Sequence, residues 1–348
     1  MGEPDRGELQ RRLLAWYREQ KRDLPFRRTR DPYAILVAEV LLQRTRMKAG
    51  LPYYERFLAA FPTVRALAAA PEDAVLRAWE GLGFYRRARN LHRAAKTIVK
   101  RHGGEVPAGF EALRVLPGIG DYTAGAVGSI AFGLCVPAVD GNAARVLARV
   151  FRLEDDLSRG PGRRKLVELA AECVPRASPG EWNQALMELG ATVCLPRTPR
   201  CAMCPISSEC MAFADGIQGE LPRTIAKREV PIEPVVFVVA RRGNSVLLVR
   251  REGGLHAGLH ALPGGRREVG ETEEKAARRH LAALGVKGSS LVALGPVHHT
   301  FSHMRWRGTA FACEGRGNPK GAEWISERRL PAVPMVPLHR RLLARTNP

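Results

Sequence analysis

Four cysteines crowd into one short stretch, CLPRTPRCAMCPISSEC, as Cys194, Cys201, Cys204 and Cys210 in a C-x6-C-x2-C-x5-C spacing. Thiolates this close in a loop-rich segment can hold a metal or a cluster. Tetrahedral zinc accepts four cysteines, but zinc ribbons usually pair two C-x2-C knuckles across a longer gap. One C-x2-C is present here, and unequal short spacings suit a cubane iron–sulfur cluster better. Two disulfides suit an oxidising compartment, and the opening MGEPDRGELQRRLLAWY has no signal-peptide core. Cys135, Cys173 and Cys313 lie in apolar or mixed surroundings and read as buried thiols.

Two carboxylates carry a second kind of chemistry. Glu39 is the one polar residue in the run AILVAEVLL, 34–42. A lone carboxylate in a buried helix is costly unless it is paired, protonated or useful. Burial raises its pKa, which is the tuning a general acid needs. Asp140, in VDGN, stands at the mouth of a helix, where an ordinary N-cap explains it equally well. Glu188 lies between Leu186, Met187 and Leu189 and reads as a helix-surface residue or as a site residue.

The elements that must position these groups are mostly helical. Residues 8–20 read as an amphipathic helix, followed by an arginine-dense, proline-marked loop at 22–33 and a helix from Ala34 to Met47. Pro52 and Pro71 each mark a helix start, and 81–99 contains another helix. FEALRVLPGIGDYTAGAVGSIAFG (110–133) reads as helix, turn, helix. Gly118 and Gly120 let the backbone approach closely and free amides at the next helix's N-terminus for a phosphate. LPRTIAKREVPIEP (221–234) reads as a linker. Beyond it, VVFVVARRG and SVLLVRREG read as strands joined at Gly243-Asn244.

The 348 residues carry a formal net charge of +20 and a pI near 10.4. An excess this large favours a polyanion, most often nucleic acid, with anionic membrane as the rival. No apolar run reaches transmembrane length. A soluble, cytoplasmic monomer is expected, and the Arg-, Ala- and Gly-rich composition hints at a GC-rich bacterial genome.

The cysteine spacing, LPGIG and VDGN in this order resemble the endonuclease III and MutY family of DNA glycosylases. The resemblance runs over roughly residues 8 to 335. It implies a mainly α, two-lobed helix-hairpin-helix glycosylase domain with an iron–sulfur loop over 1–220, a linker over 221–234, and a smaller α+β Nudix-like domain over 235–348. It implies one [4Fe-4S] cluster on the four cysteines. AEVLLQRT matches the family's SEVMLQQT and places Glu39 at the catalytic acid. Asp140 falls at the catalytic aspartate and Asn142 at its orienting neighbour. Tyr122 stands where bifunctional relatives place a Schiff-base lysine. A hydroxyl cannot form that imine, so the monofunctional branch is implied.

By the same resemblance, Arg22, Phe26, Arg27, Leu42 and Glu188 line the pocket for a flipped adenine. Arg44, Phe84, Tyr85, Gly118 and Gly120 meet the duplex. Gly265 to Glu271 and Arg279 keep the spacing of a Nudix box, but His280, Ala283 and Leu284 stand where its magnesium-binding glutamates belong. A Nudix scaffold without hydrolysis is implied. The following loop, Phe301, Ser302 and His303, matches the family's 8-oxoguanine reader. The expected substrate is adenine opposite 8-oxoguanine, or opposite G, in double-stranded DNA. Four departures from the family stand at Phe26, Arg44, Phe84 and GLHALPGG. Arg44 is shared with thymine-mismatch glycosylases, so removal of thymine from T·G is the alternative. A lesion-binding protein without catalysis is another.

Overall fold

The computed structural model describes residues 3–223, 229–254, 256–301 and 303–346. The chain divides into two units, Met1–Ala69 with Asn90–Ala226, and Ala70–Arg89 with Lys227–Pro348. Residues 70–89, expected within the first domain, thus group with the second.

The helices in chain order are α1 (Arg6–Gln20), α2 (Pro32–Leu42), α3 (Met47–Ala60), α4 (Val64–Ala69), α5 (Glu72–Ala78), α6 (Arg86–Arg101), α7 (Phe110–Arg114), α8 (Asp121–Phe132), α9 (Gly141–Val150), α10 (Gly160–Glu172), α11 (Pro179–Thr192), α12 (Met211–Ala214), α13 (Glu273–Ala283) and α14 (Pro337–Ala344). In the first unit, α1 buries Leu9, Leu13 and Tyr17, one every fourth residue. They join a core with Val146, Leu147 and Val150 of α9 and Trp182, Leu186 and Leu189 of α11. Asp31 caps α2 by accepting from the Tyr33 and Ala34 amides, with Pro32 at the first helical position. Every residue of α2 from Tyr33 to Leu41 except Glu39 is buried. Pro71 caps α5, as expected for a helix start, but Pro52 lies inside α3, which begins earlier at Met47.

In the second unit, β1 (Ile232–Arg242), β2 (Ser245–Arg250), β3 (His260–Ala261), β4 (Gly264–Arg266), β5 (Lys287–Gly288), β6 (Val292–Thr300), β7 (Arg305–Arg316) and β8 (Glu323–Ser326) form one sheet ordered β3-β2-β1-β7-β5. β4 also pairs with β1, β6 with β7, and β8 with β2. β1 and β7 run parallel at the centre, and Val235 to Ala240 are buried on both faces, as a central strand requires. The β1–β2 hairpin closes between Arg242 and Ser245 over Gly243, whose φ of 53° is left-handed backbone that glycine adopts without strain. Ala276, Ala277 and Leu281 of α13 pack on Val236, Val238 and Ala240.

Candidate active site

A cleft of about 930 Å³ in the first unit is lined by Glu39, Tyr122, Asp140, Asn142, Arg22, Phe26, Arg27, Leu42, Arg44 and Glu188. All the residues expected to do chemistry or hold the base therefore share one space. Glu39 projects from α2 and Tyr122 from α8, and the phenol donates a short hydrogen bond to Glu39 Oε2. Met187 Sδ lies 3.4 Å from the same hydroxyl. Burial pushes the Glu39 carboxyl up to about 7; the Tyr122 bond opposes the shift and the Asp140 charge adds to it.

Asp140 is the N-cap of α9. Its side chain accepts from the Asn142 amide (2.9 Å), the Ala143 amide (2.7 Å) and Asn142 Nδ2 (2.9 Å). Burial raises its pKa, while these three donors favour the anion. Glu39 receives one donor and Asp140 three, so a proton shared by the pair rests on Glu39. Arg145, one helical turn on, donates to Asn142 Oδ1 (2.8 Å), Gly190 O (2.7 Å) and Cys194 O (2.8 Å). A Cβ on Gly190 would lie 2.6 Å from Asn142 Cβ, so glycine there lets α11 approach the start of α9. Arg145 went unnoticed in the sequence. Its i, i+3 spacing from Asn142 was the available clue.

Glu188, buried on α11, carries a triad. Arg22 Nε and Nη2 donate to its two oxygens at 2.7 Å each, and Arg27 Nη2 adds a bond of 2.8 Å. Burial would raise its pKa, but the arginines prevail and hold it at about 2. Phe26 stands edge-on to Tyr54 at 5.9 Å. Arg44 follows the end of α2 with φ 55°, left-handed backbone that is strained for a side chain of this size.

The four cysteines line one small pocket together with Val146, Leu189, Val193 and Ile206. Burial pushes the Cys204 thiol up to about 12 and Cys210 to about 11. Thiolates form there when a metal takes the proton's place. Among the described residues, no His, Cys, Asp and Glu side chains converge closely enough for a single metal ion. A donor set of four thiols suits an iron–sulfur cluster. Arg149, fully buried, donates to Cys194 Sγ (3.2 Å), Leu195 O (2.8 Å), Pro196 O (2.9 Å) and Leu221 O (2.9 Å). Of the other cysteines, Cys173 and Cys313 are buried as expected, but Cys135 is exposed.

The hairpin forms as read. Gly118 takes φ 77° between α7 and α8, and Gly120 is the N-cap of α8. The Phe84–Tyr85 pair, by contrast, splits. Phe84 is exposed, but Tyr85 is buried and its hydroxyl accepts from the Gly81 amide, so its ring supports the turn from within. In the second unit, Phe301 packs on Trp306 (4.7 Å) and His299 (4.4 Å), and the Phe301 amide donates to Met304 O. His303 is exposed; Ser302 lies outside the described residues. Arg279 grips Glu271 with two bonds of 2.9 and 2.8 Å. His280 points to Arg266 O at 3.2 Å, where the box would present a carboxylate.

The family model of the HhH-GPD superfamily base excision DNA repair protein matches residues 37–173, and that of the NUDIX domain matches 235–345. The chain is 35% identical to the adenine DNA glycosylase of Homo sapiens over 90% of this chain and 69% of that one. With that of Rattus norvegicus the identity is also 35%, over 91% and 74%. The chain belongs to the adenine DNA glycosylase family. Among solved structures, a thermostable thymine-DNA glycosylase is 31% identical with TM-score 0.55, covering 60% of this chain and 97% of its own. An endonuclease III–DNA complex, 21% identical with TM-score 0.52, shares the fold over 62% of this chain and 99% of that one. Like its family, this glycosylase is an enzyme of base-excision DNA repair, with a helical N-terminal part and a Nudix-like C-terminal part.

Proposed function

We propose that the enzyme hydrolytically removes adenine paired with 8-oxoguanine, without a lyase step, and carries a [4Fe-4S] cluster on its four clustered cysteines. The observation that carries the reading is the pair Glu39 and Asp140, two carboxyls in one cleft with unequal hold on a proton. The target adenine leaves the stack and enters the cleft. Protonated Glu39 gives its proton to an imidazole-ring nitrogen of the base. The glycosidic bond breaks, the base departs neutral, and the sugar is left as an oxocarbenium-like cation. Anionic Asp140, held by its three donors, stabilises that cation. Glu39, now a carboxylate, takes a proton from the attacking water. Split roles for two carboxyls are the general solution to glycosidic cleavage. Tyr122 holds Glu39 and offers no amine for an imine.

Four thiols lining one pocket support the cluster. It would supply a fixed shape to the loop that carries Arg197 and Arg200. His303, exposed beside the packed Phe301, supports lesion reading by the 301–303 loop.

Single-turnover release of base from duplexes with A opposite 8-oxoguanine, A opposite G and T opposite G tests the substrate. Adenine should leave fastest opposite 8-oxoguanine; faster thymine release from T·G would overturn the reading. Ser302→Ala with His303→Ala should narrow the 8-oxoguanine preference tens-fold, at about 1–3 kcal/mol per lost bond. Borohydride should trap no abundant adduct. The purified protein should be yellow-brown with about four irons, where one zinc and no iron would end the cluster assignment.

A further inference from the structure

We propose that Glu80 and Arg340 are positioning residues that set the Gly81–Tyr85 turn and, through it, the insertion of Phe84 beside the target base pair. This rests on the reading of Phe84 as the side chain that enters the duplex. The turn is strained at Phe84. Gly81, Gly83 and Phe84 take φ of 105°, 69° and 50°, and Phe84 is 41% exposed. An exposed aromatic residue in left-handed backbone persists only where its surroundings over-determine it. From inside, Trp79 Nε1 donates to Gly83 O at 3.1 Å, and the Arg87 guanidinium lies over both the Trp79 and the Phe84 rings, at 5.5 and 5.3 Å.

From outside, the fixing group is Glu80, whose side chain is 8% exposed. Arg340 of α14 donates to both its oxygens, through Nε and through Nη2 at 3.0 Å. Arg77 Nη1 adds a bond at 2.9 Å and the Met335 amide another at 3.4 Å. The two guanidiniums are themselves tied down: Arg340 to Leu330 O and Val333 O, Arg77 to Pro331 O. The segment 330–340 thus closes around one carboxylate, and that carboxylate is the residue next to the turn. A buried ion pair is a poor source of net stability compared with apolar packing, but a bidentate fork admits one geometry. Register is what this arrangement supplies, and the strained turn is what needs it. The Nudix-like part therefore contributes to wedging the duplex as well as to reading the lesion.

The test is a double-mutant cycle on the full-length protein with the duplex holding A opposite 8-oxoguanine. Rates are measured at limiting and at saturating enzyme, and a thermal melt checks folding. Arg340→Ala should lower the limiting-enzyme rate about tenfold and leave the saturating rate within about threefold. Phe84→Ala should lower the limiting-enzyme rate at least as much. The double variant should be no worse than Phe84→Ala within about twofold, because Arg340 acts through that ring. Glu80→Gln keeps the shape and loses the charge, and it decides the matter if Arg340→Ala does not fold. Wild-type rates in Arg340→Ala and Glu80→Gln, or a loss that persists in full on the Phe84→Ala background, would overturn the inference alone. Wild-type rates in Phe84→Ala would sink the wedge reading and the inference with it.

Discussion

Glu39 and Glu188 line one cleft and hold protons very differently, near 7 and near 2. The proposed mechanism needs Glu39 protonated, so the single-turnover rate should fall as pH rises through about 7. Glu39→Gln should still bind the lesion duplex but release no base; release within tenfold of wild type would contradict the acid assignment. Stability responds too. The native Glu39 carboxyl keeps its proton up to about 7, whereas the unfolded one releases it near 4.5, so its contribution declines with rising pH between those values. Glu39→Gln should therefore be the more stable protein at pH 8, by about 1–3 kcal/mol in chemical denaturation. Glu188 has the opposite sign: its contribution is complete above about 4.5 and is lost as pH falls towards 2. Glu39 was legible in the sequence because a carboxylate alone in an apolar helix has few explanations. The triad on Glu188 was not, because Arg22 lies 166 residues away along the chain and spacing carries nothing over that distance.

At the scale of elements, α9 does two jobs with one residue. Asp140 caps the helix and lines the cleft. Asparagine caps as well as aspartate but carries no charge. Asp140→Asn should keep its melting temperature within a few degrees while excision collapses, and Asp140→Ala should lose about 0.5–2 kcal/mol of stability besides. Equal destabilisation of the two would make the cap reading wrong. The cysteine loop depends on α9 as well. Arg149→Ala should give poorly soluble protein with less iron, since three loop or linker carbonyls and one sulfur lose a buried donor. Most helices, the hairpin glycines and the first two strands could be read from periodicity and turn residues, but the helix expected to run to Met47 stops at Leu42, and α3 begins at Met47. Pro52 misled because proline marks a first turn more often than an interior position. Phe84 and Tyr85 looked alike in sequence; only the turn's left-handed backbone turns one ring outward and the other in.

At the scale of the molecule, the charge of +20 sets how binding responds to salt. Affinity for lesion duplex should fall by about 10³-fold or more between 50 and 200 mM salt if some six to ten phosphates are neutralised, which a titration of Kd against salt reads directly. The division of the chain was harder to foresee. Composition shifts at the linker, but nothing in residues 70–89 announces that they group with a sheet encoded far downstream. That arrangement has a consequence in time. Glu80 leaves the ribosome 260 residues before Arg340. At roughly 5–20 residues per second the carboxylate waits on the order of 13–50 s for its cation. Until then the Gly81–Tyr85 turn lacks the Arg340 contact to Glu80. A nascent chain interrupted before α14 can carry a finished cleft and an unfinished turn, so the segment proposed to wedge the duplex is among the last to be completed.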